Sequence, residues 1–191
     1  RGLCETNREE REDLIRNFDR LTKEDIVDWL DKYIHLNTYE ISIPALRDHS
    51  LAPGGQCGVM VSFLFDYQIA KKVQEAGWYD EFKDTVENRV CTLLSQKLYK
   101  DLDDDVLFKF SATPITINKL IGSSDGAITG WSFDQVSPVI NKLQEIPKSV
   151  KTSIPNVYQA GQWAYSPAGV PIAMLTGWYA SQAILKSLNI K

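Results

Sequence analysis

Residues 154–185 read IPNVYQAGQWAYSPAGVPIAMLTGWYASQAIL. A short run rich in strand formers, 156–160, ends on an Ala-Gly pair. Pro167 and Gly169 then shape a bend, and from about Val170 the apolar spacing predicts a helix to about Leu188. A chain needs only a few residues to turn from strand to helix, so a bend of this length marks a place where something is held. Gly161 allows another group to approach the backbone closely. The helix that follows aims its unpaired first-turn N–H groups back toward the bend, where an electron-rich or anionic edge is favoured. Taken alone, Gly-x-x-x-x-x-Pro-x-Gly is a weak pattern that any strand-to-helix turn produces, and by itself it reads as a plain turn.

Upstream, the pattern alternates between helix and strand. Residues 7–20 are mostly charged with Leu14, Ile15 and Phe18 on one side, which predicts an exposed helix with a narrow buried stripe. Thr22 followed three residues later by Asp25 has the form of a capping box, and Ile26, Trp29, Leu30 and Tyr33 recur at helical spacing. From Thr38 the period shortens to two, with Tyr39, Ile41 and Ile43 alternating against polar neighbours until Pro44. After the turn-rich RDHSLAPGGQ, the segment 57–65 is again rich in strand formers. These two segments are expected to pair as antiparallel neighbours. A short helix (YQIAKKVQEAGW) and a long one over about 80–99 follow, the second carrying Phe82, Val86, Val90, Leu93, Leu94 and Leu98 on one face. Residues 105–112 are expected to be a third strand ended by Pro114, and GSSDGAITGWSFD (122–134) a Gly-rich loop. This order of elements predicts an α+β fold, a mainly antiparallel sheet backed by helices.

At 191 residues the chain is long enough for one sizeable core. A net charge of -4 argues against a general binder of nucleic acid or anionic membranes. Cys4, Cys57 and Cys91 lie far apart, without a C-x-x-C pair or a neighbouring histidine, so they read as idle thiols of a reducing, cytoplasmic setting and not as metal ligands. The acidic run 101–105 lacks the spacing, glycine and closing glutamate of a calcium loop and reads as a solvated turn, leaving no metal site. His35 and His49 have no serine or cysteine placed to form a nucleophilic constellation, so no catalytic residue is assigned. No apolar run approaches the roughly 20 residues of a spanning helix, so any membrane association would be peripheral.

The segment NVYQAGQWAYSPAGVPIAMLTGWYASQAIL resembles the C-terminal flavin-binding segment of the FAD-dependent phytoene desaturase, carotenoid isomerase and retinol saturase family. That pattern is a strand ending in Ala-Gly, a Pro/Gly bend, Gly-Val-Pro and a helix with a mid-helix glycine. Two upstream stretches are similar to the same group in the same order. ISIPALRDHSLAPGGQ matches its Ser-Ile-Pro segment with a later Ala-Pro-Gly turn, and SATPITINKLIGSSDGAITGW matches its Thr-Pro and Gly-Ser-x-x-Gly-x-x-x-Gly-Trp segment. Together the three span 41–185.

The resemblance implies FAD as cofactor and an apolar, polyene-like small-molecule substrate whose C=C bonds are desaturated, saturated or isomerised. It implies cofactor contacts at Gly161, Gln162, Ala168, Gly169, Val170 and Ile172. Gln162 stands where the group usually carries an acidic residue, and Ala168 where glycine is common. Pro171 has no N–H to offer. The dinucleotide fingerprint Gly-x-Gly-x-x-Gly occurs nowhere in the 191 residues. By this reading the chain is expected to be the C-terminal portion of a longer oxidoreductase, with 1–155 belonging to a substrate-binding domain and 156–191 forming the returning strand and helix of the FAD-binding domain. The portion alone is then expected to be inactive and not to retain FAD. Two alternatives stay open: a self-contained α+β binding module without flavin, and part of a flavin amine oxidase.

Overall fold

The computed structural model describes residues 3–131 and 138–189, with side chains from Arg8 onward. The chain divides into two compact units, Arg1–Leu120 and Ile121–Lys191. The end of the expected Gly-rich loop, 132–134, lies outside the described residues.

In the first unit, α1 (Leu3–Asn17) runs into a 3-10 turn, Phe18–Arg20, and α2 (Lys23–Leu36) begins at a complete capping box. The Thr22 hydroxyl accepts from the Asp25 N–H at 3.2 Å, and the Asp25 carboxylate accepts from the Thr22 N–H at 2.8 Å. Two otherwise orphaned donors at the helix start are satisfied in this way. The Asp25 carboxylate also accepts from the Thr22 hydroxyl at 2.8 Å, and its two bonds from Thr22, the backbone one first and then the side-chain one, hold the Asp25 carboxyl below the usual range.

Strands β1 (Glu40–Ser42) and β2 (Met60–Ser62) pair antiparallel with Ile41 opposite Val61, as the alternation predicts, in shorter form. Pro44 opens a 3-10 turn and so ends β1. Beyond β2, the Leu64 carbonyl accepts from the Tyr33 hydroxyl at 2.6 Å and from the Asn37 amide at 3.4 Å, so side chains of α2 and its C-cap occupy an acceptor that a longer ladder would use. Tyr39, Ile41, Val61, Phe63 and Phe65 turn inward against the core. Helix α3 (Tyr67–Glu75), whose N-cap Asp66 accepts from two amides, and α4 (Tyr79–Lys97) close it. The rings of Phe65 and Phe82 are 5.8 Å apart and those of Trp78 and Phe82 5.5 Å, which packs α4 against the sheet side of the core.

The expected third strand at 105–112 is not formed. Residues 102–105 make one helical turn, α5 (Leu102–Asp105), and among the described residues 106–111 make no backbone hydrogen bonds. Side chains hold this segment along α4, Lys109 donating to Asn88 at 2.6 Å and Ser111 to Glu87 at 2.7 Å. Phe110 is 82% exposed, and Leu107 and Phe108 are exposed with it. Nor does Pro114 only terminate a segment. It is the first residue of α6 (Pro114–Ile121), where the fixed φ and missing N–H of proline cost nothing. The Thr113 and Thr116 pair bonds reciprocally across that start.

In the second unit, the expected strand at 156–160 reduces to a single bridge between Lys151 and Tyr158, supported by the Gln159 N–H on the Val150 carbonyl at 2.8 Å. The Thr152 side chain bonds around residues 154–157, and Asn156 has a φ of 62°, so a local turn takes the place of the first half of the strand. Ile146 and Ser149 of α7 (Ile146–Ser149) are buried, as are Val150, Ala164, Tyr165 and Ser166. Helix α8 (Val170–Ser187) buries Thr176 and Ala180 and exposes Met174 and Trp178.

Candidate functional site

All six residues implied as cofactor contacts lie in the second unit, on the loop that precedes α8 and on its first turn. Gly161 has a φ of 95°, a left-handed conformation natural to glycine, and a side chain there would meet open space. Its carbonyl accepts from the Ala164 N–H at 3.2 Å, which makes 161–164 a turn. Its N–H donates to the Thr176 hydroxyl at 3.0 Å.

The next two residues are fixed from the segment 126–131. Gly130, with φ of 89°, lies so close to Gln162 that a Cβ at that glycine would overlap the Gln162 carbonyl oxygen. The Trp131 indole N–H donates to the Trp163 carbonyl at 2.9 Å, and the two indole rings meet edge to face at 5.3 Å. With its backbone held, Gln162 is left half-buried, and its side-chain amide makes no hydrogen bond among the described residues. The loop then passes through the cis peptide bond between Ser166 and Pro167, with the Ser166 N–H on the Ile140 carbonyl at 3.1 Å, and reaches α8 through Ala168 and Gly169.

Gly169 is the N-cap of α8 and supplies no side-chain cap, and a Cβ there would meet nothing. Pro171 lies within the first turn without an N–H, so the amides of Val170 and Ile172 are the ones that the helix start offers, and Val170 is 75% exposed. Such an end favours negative charge. The structure thus brings Gln162 and Ala168 together around Gly130 and sets Gly169, Val170 and Ile172 on the adjoining helix turn.

Four residues of this assembly carry no role in the sequence reading: Gly130, Trp131, Trp163 and Thr176. The Gly-Trp pair belongs to a segment that the family resemblance already singled out. Thr176 is a hydroxyl in the middle of an apolar helix, and such a residue has to find a partner or face solvent. Away from the loop, burial pushes the Cys91 thiol up, with the neighbouring Asp103 adding to the effect, so it is not a ready thiolate. Among the described residues no cluster of histidine, cysteine and carboxylates is placed to hold a metal ion.

Compared with proteins of known function, the chain is 23% identical over 154 residues to the 4,4'-diapophytoene desaturase (4,4'-diaponeurosporene-forming) of Staphylococcus aureus strain MRSA252, across 78% of this chain and 29% of that protein. It is 25% identical over 151 residues to the enzyme of the same name from Staphylococcus haemolyticus strain JCSC1435, across 76% of this chain and 28% of that protein. The chain is distantly related to these diapophytoene desaturases. It spans less than a third of the length of these relatives. No family model matches the sequence, and no solved structure matches it. Among the described residues no helix is long and apolar enough to cross a membrane.

Proposed function

We propose that the chain is part of an FAD-dependent oxidoreductase that acts on C=C bonds of an apolar, polyene-like substrate. The observation that carries this reading is the similarity to two diapophytoene desaturases across about three-quarters of the chain. The local structure fits the cofactor: Gly161 and Gly169 leave open space where side chains would stand, and the first turn of α8 has no side-chain cap. In this proposal Gln162 hydrogen-bonds a cofactor hydroxyl through its amide. The backbone at Ala168, Gly169, Val170 and Ile172 faces the electron-rich edge of the flavin, where the helix end favours negative charge. Bound FAD would supply the redox chemistry, while the protein binds, orients and excludes water. The division into a substrate part, 1–155, and a cofactor part, 156–191, belongs to the same proposal. The compact units divide earlier, and the cofactor part falls wholly within the second.

The test is an absorbance scan and FAD titration of the 191 residues and of the protein produced from its complete gene. A few hydrogen bonds at about 1 kcal/mol each net do not offset the several kcal/mol, roughly 4 or more, lost when a ligand is immobilised. The 191 residues alone are therefore expected to be colourless and the complete product to show flavin bands. Gly169→Asp is expected to leave the fold intact, since that N-cap backbone is extended with φ of 179°, and to weaken FAD binding by placing a carboxylate on the amides the flavin needs. A complete product without affinity for FAD would overturn the proposal and favour a flavin-free binding module.

A further inference from the structure

Thr176 is the buried polar group that joins the two ends of the candidate cofactor segment. It is 0% exposed, on a helix whose other polar side chains, Ser181, Gln182, Lys186 and Ser187, lie toward its C-terminal end, and threonine is a poor helix former. Its hydroxyl donates to the Ala173 carbonyl at 2.9 Å, one turn back. That orientation leaves a lone pair for the Gly161 N–H at 3.0 Å, while the Gly161 carbonyl, at 3.4 Å, is the more distant acceptor. Gly161 begins the loop, and Gly169, which ends it, starts the helix that carries Thr176. The hydroxyl therefore closes the loop onto its own helix. Gly130 and Trp131 fix Gln162 and Trp163 immediately downstream.

We infer that Thr176 is a positioning residue whose hydroxyl holds Gly161 and Gln162 at a fixed place relative to the first turn of α8. The inference rests on the flavin reading above and deepens it. In this reading the side chain touches one of the cofactor contacts, Gly161, and not the cofactor itself. It acts through the Gly161 amide, so the hydroxyl matters and the methyl group does not.

The test compares Thr176→Val, which keeps the shape and removes the hydroxyl, with Thr176→Ser, which keeps the hydroxyl. Thr176→Ala serves as a second hydroxyl-free variant in case valine does not fold. Amide exchange at Gly161 is read by NMR in the 191 residues, and FAD affinity by fluorescence titration of the complete gene product. Without the hydroxyl, Gly161 exchange is expected to quicken and FAD affinity to fall, each by about tenfold or more, as for loss of one partner of a buried hydrogen bond. Serine is expected to restore both. Equal loss in the serine and valine variants would show a packing role and overturn the inference, as would unchanged exchange at Gly161 in the valine variant. FAD bound by Thr176→Val with wild-type affinity overturns this inference alone. A wild-type protein that takes up no FAD overturns the flavin reading, and this inference falls with it.

Discussion

Gly130 and Gly177 are both glycines in the second unit, and their substitution by alanine should act in opposite directions. At Gly130 a methyl group would overlap the Gln162 carbonyl oxygen, and the φ of 89° already disfavours any side chain. Gly130→Ala is expected to cost about 1–3 kcal/mol, the usual range for overpacking. At Gly177, in the middle of α8, a methyl group would meet nothing within 4 Å. Gly177→Ala is expected to stabilise the 191 residues by about 0.5–1 kcal/mol through helix propensity alone. Denaturant titration of both variants checks the pair, and a stabilising Gly130→Ala would show that the 161–163 loop is not held as described. In the complete protein Gly177→Ala tests something else, because the open side of that glycine is where a further group could approach.

Among the elements, α2 shows how far a local rule carries. The Thr22 and Asp25 box is visible in the sequence because each half of it lies within three residues of the other. Thr22→Ala is expected to cost about 1 kcal/mol. Because the box holds the Asp25 carboxyl below its usual range, the stability it gives is complete above the ordinary carboxylate pKa and is lost as pH falls through the lowered one. Thr22→Ala keeps the backbone N–H, the larger cause, and removes the hydroxyl's bond to the carboxylate, so the wild-type advantage over it, measured by denaturant titration at neutral pH and near pH 2–3, should shrink in acid by that smaller part.

Non-local elements were harder to read. Residues 105–112 have strand composition, yet a strand exists only with a partner, and none of the described residues pairs with 106–111. The run at 156–160 failed for a nearer reason, since Thr152 and the left-handed Asn156 fold its beginning into a turn. Helix α6 was missed because Pro114, here the first residue of a helix behind Thr113, equally suits the end of a strand, the role expected of it from the sequence. In the candidate site, the uncapped start at Gly169 follows directly from the absence of Ser, Thr, Asp or Asn before Val170. The contacts of Gly130, Trp131 and Thr176 could not be seen because they join positions some 15 to 32 residues apart.

At the level of the whole molecule, apolar side chains serve two different purposes. In the first unit Phe82 is buried against Phe65 and Trp78, and Phe82→Ala is expected to cost about 3–5 kcal/mol. Phe108 and Phe110 stack on each other at 6.3 Å but remain exposed. Their double replacement by serine is expected to change stability by no more than about 0.5 kcal/mol while reducing binding of a hydrophobic dye. Chemical denaturation and dye fluorescence separate the two cases. A large stability loss on replacing Phe108 and Phe110 would mean that the segment along α4 belongs to the core.

The edge-to-face contact of Trp131 and Trp163 has an optical consequence. Two indoles 5.3 Å apart, one donating its N–H to the backbone of the other, couple their electronic transitions and share one environment. Read as the difference between the wild type and a Trp131→Phe variant, which subtracts Trp29, Trp78 and Trp178, their near-ultraviolet circular dichroism and emission report on the loop that carries Gln162 without any added label. A residue such as Thr176 or Gly130 can be judged by this intrinsic signal before any cofactor is present, and a chromophore arriving beside the loop would announce itself by quenching the same pair.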